Sequence, residues 1–232
     1  MSLVNYERKG AAAVITLQNG KVNVISSALL EELNAALDRA AEEKAIVVLA
    51  GQSGIFSGGF DLKEMMVSVE ARANLVTGGS KLARRLLAHP YPVIAACTGH
   101  SVAMGCFILL GCDYRIGVEG PFKIGLNEIQ IGMTMHHVGI ELPRERLLPT
   151  YFHRCVNLAE MLSPQDATTA GFLDEVVAPE QLEERALALA EQYAQLNLEA
   201  HALTKVKMRK ELLATLDEVI EIDRQAIMEM TF

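Results

Sequence analysis

Apolar positions fall into two rhythms along the chain. Short, continuous or β-branched runs at 11–17, 45–50 and 92–97 have the length of strands, and turn residues close each of them: Asn19-Gly20, Gly51 and Gly99. Between them the spacing becomes helical. The segment 26–43 repeats Leu29, Leu33, Ala36, Leu37 and Ala40 behind Ser26, whose hydroxyl can accept from the first unpaired N–H groups of a helix, and 69–88 reads as a second helix. Met104–Gly111 is apolar on every side, which predicts a helix buried all round. Segments 114–118 and 122–124 read as further short strands. Strands alternating with crossover helices predict an α/β fold with a mainly parallel sheet.

The second half changes rhythm. Ser163-Pro164-Gln165-Asp166 sets a serine cap, a proline at the first helical position and an acid in the first turn, and Gly171 ends that short helix. Segment 172–177 reads as one more strand. From 181 onward the pattern is helical, with Leu203, Val206, Leu212, Leu213, Leu216, Val219, Ile220 and Ile227 among its apolar positions. No proline-, glycine- or serine-rich linker intervenes. The expectation is a core over 1–178 and a helical region over 179–232 that form one functional unit.

Half of the 232 residues are apolar, enough for a substantial core. A net charge of −8 argues against nucleic acid or an anionic membrane as the main partner, since both demand a basic face. No apolar run approaches the roughly 20 residues needed to cross a bilayer, and MSLVNYERKG lacks a signal-like apolar stretch, so a soluble cytoplasmic protein is expected. Four cysteines without CxxC spacing and six histidines without an HExxH or HxH pattern imply neither disulfides nor a metal.

Candidate chemistry concentrates in FSGGFDL at 56–62 and TGHSVAMGCFILLGCD at 98–113. Each places glycines where a strand turns into a helix, so each can aim a backbone N–H, that of Phe60 or of Met104, at one oxygen. Between and after them, KIGLNEIQIGM offers Glu128 as an acid or base. Two fixed donors and one carboxylate suit a thioester that must pass through an enolate. Ordinary roles compete with each reading: a solvated loop acid for Glu128, a helix-start or surface pair for His136 and His137, a first-turn charge for Glu141, a cap for Asp61, and solvated charges for Lys63, Arg84 and Arg85.

These segments, with VNVIS at 22–26, FSGGFDLKEM at 56–65, PYPVIAACTGH at 90–100, CDYRIG at 112–117 and SPQDATTAGFLDEVV at 163–177, resemble the crotonase, or enoyl-CoA hydratase/isomerase, superfamily over most of the chain. The resemblance implies a spiral of ββα units with a helical C-terminal trimerisation region. It further implies coenzyme A thioester substrates, with coenzyme A carried as part of the substrate and no separate cofactor, and assembly as a homotrimer or dimer of trimers. The amides of Phe60 and Met104 would form an oxyanion hole, and Gly59, Asp61, Leu62, Gly105 and Phe107 would line the substrate pocket. His136 and His137 depart from the family pattern, which places a small-residue, glycine-rich segment near the acyl pocket there, and His136 is the candidate of the pair to line that pocket. Hydratases of this superfamily carry two glutamates, one at the position held here by Phe107. With Glu128 alone, the motif is closer to the Δ3,Δ2-enoyl-CoA isomerases, which work with one. Other reactions of the superfamily, hydration or thioester hydrolysis, and a non-catalytic acyl-CoA-binding role remain the alternatives.

Overall fold

The computed structural model describes residues 2–230. Strands β1 (Val4–Lys9) and β2 (Ala12–Leu17) form an antiparallel hairpin, and helix α1 (Ser27–Glu42) follows with the Ser26 hydroxyl accepting from the Leu29 N–H. Then comes a repeated motif of two short strands and a helix. Its first turn is β3 (Ile46–Ala50), β4 (Gly54–Ser57), the one-turn helix α2 (Leu62–Met65) and α3 (Val69–Ala88). The second is β5 (Val93–Cys97), β6 (Gly99–Val102) and α4 (Met104–Gly111). The third is β7 (Tyr114–Val118) and β8 (Ile124–Gly125), then a 3-10 turn at Ile129–Ile131, α5 (Val138–Arg146), α6 (Pro149–Asn157) and α7 (Pro164–Ala170). After β9 (Glu175–Val177), the chain ends in α8 (Leu182–Tyr193), α9 (Leu198–Met208) and α10 (Lys210–Met228).

Each turn of the spiral gives one strand to each of two sheets. The larger runs β1-β2-β3-β5-β7-β9, parallel from β2 onward; the smaller runs β4-β6-β8, all parallel. Successive turns must approach closely where the strands hand over, and a Cβ on Gly99 would lie 2.1 Å from the Gly54 carbonyl. Strands β3 and β5 read as unbroken apolar runs because both faces of the sheet are covered. Val47, Leu49, Val93 and Ala95 face the main core, whereas Ile46, Val48, Ile94, Ala96, Ile116 and Val118 face α8 through Leu182, Ala186, Leu189 and Ala190. All eight residues of α4 are buried, as the sequence pattern requires. No helix among the described residues is long and apolar enough to cross a membrane.

The structure departs from the sequence reading in three places. The strand expected at 122–124 reduces to Ile124–Gly125, because β6 offers it only the pairs Ser101↔Ile124 and Val102↔Gly125. Of 172–177, only Glu175–Val177 pairs with β7; the N–H groups of Phe172 and Leu173 return to the Ala167 carbonyl, so these two apolar residues close α7 instead of extending a strand. The C-terminal apolar residues divide. Leu213, Leu216, Val219, Ile220 and Ile227 bury against this chain's own core, with Arg84 of α3 making two 2.8 Å hydrogen bonds to Asp217 of α10, while Leu203 and Val206 of α9 stay 68% and 46% exposed.

Candidate active site

The first glycine turn is held by a buried polar frame. Asn23, itself at φ +52°, donates through Nδ2 to the carbonyls of Phe56 (2.7 Å) and Leu17 (3.1 Å), and Ser57 Oγ donates to Asn23 O (2.9 Å) while accepting from Gly59 N (3.2 Å). Gly59 takes φ +95°, which a side chain would strain. The next bonds are Ile25 N–H to Gly59 O (2.8 Å) and Asp61 N–H to Ile25 O (2.9 Å). Since alternate groups of an extended segment point to opposite sides, the Phe60 N–H faces away from Ile25. Asp61 caps α2 through Lys63 N and Glu64 N, and Leu62 stands on the rim with Val22, Met66 and Val67, all more than half exposed.

In the second turn the left-handed residue is Ala103, at φ +51° and ψ −118°, and not a glycine. A non-glycine residue in this region stores strain that the surroundings must hold. Here the Ala103 N–H donates to Gly125 O (3.0 Å) and its carbonyl accepts from Cys106 N (2.9 Å). Met104 is the first residue of α4, so its N–H has no carbonyl within the helix to bond. Gly105 serves close packing: a Cβ there would lie 2.9 Å from Ser57 O.

The two turns meet. A Cβ on Gly59 would touch Ala103 Cβ at 3.0 Å and lie 3.7 Å from Met104 N. Their side chains share one support, because a Cβ on Gly79 of α3 would lie 2.4 Å from Phe60 Cζ and 2.9 Å from Met104 Sδ.

Glu128 lies three residues beyond β8, the strand whose Gly125 anchors Ala103. Its carbonyl fastens the loop by accepting from Ile131 N (3.2 Å) and Met133 N (2.8 Å). The side chain is 7% exposed, and among the described residues its Oε2 has no hydrogen-bond partner. Burial pushes its pKa up to about 7, opposed by a hydrogen bond from its own backbone. The solvated loop acid that competed with this reading is excluded by that burial. Glu128 also neighbours α4: burial above all, with smaller contributions that include the Cys97 and Glu128 charges, pushes the Cys106 thiol well above its ordinary range.

Phe107, one helical step beyond Cys106, is 1% exposed. His136 lies edge-on to it, ring centroids 5.4 Å apart at 86°, and Gly139 leaves room for the pair, since a Cβ there would lie 3.0 Å from both His136 Cε1 and Phe107 Cζ. Burial lowers the His136 pKa, so its imidazole is neutral at neutral pH. His137 turns outward and pairs with Asp223 of α10. Glu141 is a first-turn acid of α5 bonded to Arg144 (3.1 Å), and Arg85 bonds to Asn34 and Asp38 of α1, so these charges staple the scaffold.

The sequence reading missed Asn23, Ser57 and Asp223. Asp223 had left a trace, because it occupies an inward position of α10 in register with Leu216, Val219, Ile220 and Ile227. Among the described residues no group of three or more His, Cys, Asp or Glu could hold a metal ion.

Comparison with known proteins sets this geometry in context. Residues 7–231 match the family described as enoyl-CoA hydratase/isomerase. Over 224 residues the chain is 32% identical to mouse enoyl-CoA delta isomerase 1, mitochondrial, covering 94% of this chain and 76% of that protein. It is 29% identical to a probable enoyl-CoA hydratase of Rhizobium meliloti (strain 1021), over 94% of this chain and 86% of that one. Among solved structures, an enoyl-CoA hydratase/isomerase family protein from Pseudomonas syringae superposes with a TM-score of 0.96 at 57% identity, covering 97% of this chain and 98% of the other.

Proposed function

The chain belongs to the enoyl-CoA hydratase/isomerase family, and within it we propose that this protein moves the double bond of an enoyl-CoA from the 3 to the 2 position. In this reading the thioester oxygen lies between the N–H groups of Phe60 and Met104. The ionised Glu128 takes a proton from the alpha carbon; the electron pair spreads over a dienolate whose oxygen the two N–H groups stabilise; Glu128, now an acid, returns the proton at the gamma carbon. One carboxylate closes the cycle, and coenzyme A remains a carrier throughout.

The observation that carries the proposal is the pairing of Glu128 with Phe107. Glu128 is buried, unpartnered at Oε2, and has a pKa near the pH at which it must both accept and release a proton. At the position where hydratases of the superfamily carry a second glutamate stands a fully buried phenyl ring, which can neither activate water nor protonate carbon. The exposed apolar rim of Val22, Leu62, Met66 and Val67 beside the first turn suits an acyl thioester entering there. Gly59, Asp61 and Gly105 shape that wall through turn and packing.

Hydration is the second reading, favoured by the likeness to the Rhizobium protein. It needs another acid, and with Glu141 held by Arg144 that role would fall to His136. Assembly as a homotrimer or dimer of trimers is part of the proposal. It is supported by the exposed Leu203 and Val206 of α9, which border a groove formed with Ala88 and Pro90.

The test is Glu128→Gln. Migration of the double bond should fall at least a hundredfold while acyl-CoA affinity stays within about tenfold, because the amide keeps the shape but cannot cycle a proton. A variant that keeps more than about a tenth of the wild-type rate removes Glu128 from this role.

A further inference from the structure

The segment that joins Glu128 to α5 has little main-chain structure of its own. After the 3-10 turn and Gly132, residues 133–137 belong to no strand or helix. At its start the loop is tied down by the Glu128 carbonyl and by Gln130 Nε2 donating to Ala159 O (2.7 Å). At its far end stands a residue from the last helix of the chain. Asp223 is 5% exposed, and its carboxylate accepts from His137 N at Oδ1 (2.8 Å) and from Val138 N at Oδ2 (3.1 Å), while Oδ1 also meets His137 Nδ1 (2.7 Å). His137, the residue before α5, offers no side-chain cap to the helix, so the cap comes from Asp223 across the fold.

This anchor sits one residue from His136. Phe107 is fully buried, and the half-buried His136 lies over its edge, so the imidazole and not the phenyl ring is the accessible member of the pair. Among the described residues neither His136 ring nitrogen makes a hydrogen bond; packing against Phe107 and the fixed backbone at 137 and 138 are what hold the ring. Met135 Sδ fills the remaining space, 2.4 Å from where a Cβ of Gly139 would stand.

We propose that Asp223 is a positioning residue of the acyl-chain site: by holding the backbone of His137 and Val138 it fixes His136 over Phe107, and that wall sets discrimination among acyl-CoA chain lengths. The inference rests on the reading of the site as an acyl-CoA site, and is tested on binding so that it does not depend on which reaction is catalysed. Affinities for butanoyl-CoA and dodecanoyl-CoA are measured by calorimetry on wild type, Asp223→Ala, Asp223→Asn, His136→Ala and the double variant Asp223→Ala/His136→Ala. Asp223→Ala and His136→Ala should each move the affinity ratio of the two ligands toward unity by about tenfold, and the double variant no further than either alone, as expected of residues acting through one contact. Asp223→Asn, which keeps one acceptor oxygen, should move it less in the same direction, and stands in if the alanine variant does not fold. A merely structural cap would lower Tm and leave the ratio in place. An unchanged ratio in folded variants, or additive shifts in the double variant, overturns the proposal; a wild type that binds neither ligand overturns the acyl-CoA reading itself, and this inference with it.

Discussion

Glu128→Gln should stabilise the protein by a margin that opens as pH rises past about 4.5 and is complete above about 7. The carboxyl pKa rises from 4.5 to about 7 on burial, a difference of about 2.5 units, which corresponds to roughly 3 kcal/mol by which folding disfavours the charged form. The sign follows from proton binding. A carboxyl whose folded pKa lies above its unfolded value binds its proton more tightly when folded. The stability it lends is therefore complete below about pH 4.5, drains away as pH rises toward 7, and is gone above it. Glutamine has the shape of the neutral acid and never pays this desolvation cost. At pH 5, half a unit above 4.5, the gap should be somewhat under about 1 kcal/mol, so the variant should melt only roughly 2–3 °C higher. At pH 8, with about 2–4 °C of Tm per kcal/mol for a chain of this size, the variant should melt roughly 6–12 °C higher. Thermal unfolding followed by circular dichroism at half-unit steps from pH 5 to 8.5, in the absence of ligand, reads the difference. A gap that is independent of pH, or a variant less stable than wild type at pH 8, would refute the claim that Glu128 is held charged in an apolar site for function at the expense of stability.

The same pKa predicts that kcat/KM for double-bond migration rises tenfold per pH unit below about 7 and levels above it, because only the ionised carboxylate can take the alpha proton; a rate flat from pH 5.5 to 8 would contradict this. Gly79→Ala should push on Phe60 and Met104 together, lowering stability by about 1–3 kcal/mol and kcat/KM by tenfold or more, whereas Gly78→Ala on the same helix, whose Cβ meets only Leu30 Cδ1 at 3.0 Å, should spare kcat/KM; equal kinetic losses would show that the shared support is unimportant. Replacing Leu203 and Val206 of α9 by glutamate should reduce the assembled species to a 25.3 kDa monomer by light scattering, and a wild type already monomeric and fully active would remove the assembly proposal.

Much of the fold was legible because the governing patterns are local. Ser26 and Ser163 cap the helices they precede, 69–88 is α3, and the uniformly apolar Met104–Gly111 is buried throughout. What escaped depends on partners distant in sequence. Strands β4 and β6 are four residues long and exist by pairing with each other, while Phe172 and Leu173 carry a strand-like composition but are drawn into a helix terminus. At the site, Gly59 was readable as a left-handed turn, yet the matching position in the second turn is Ala103, whose strain is held by Gly125, a strand away. The apolar C-terminal residues announced burial without saying against what; Leu213, Leu216, Val219, Ile220 and Ile227 of α10 turned to this chain's own core, while Leu203 and Val206 of α9 stayed exposed. Asp223 acts 86 residues from its partner His137, a pairing that spacing along the chain cannot reveal.

The central claim is that one buried carboxylate moves a proton along an enolate while no second acid adds water. It is tested most directly by incubating the protein with a 3-enoyl-CoA and a 2-enoyl-CoA in parallel and following the conjugated enoyl absorbance together with product identity. The account predicts that the 3-enoyl-CoA gains conjugation at an enzymatic rate that Glu128→Gln abolishes, while the 2-enoyl-CoA forms little or no 3-hydroxyacyl-CoA. Rapid loss of conjugation from the 2-enoyl-CoA, with the hydroxyacyl thioester accumulating and the 3-enoyl-CoA left unchanged, would contradict it.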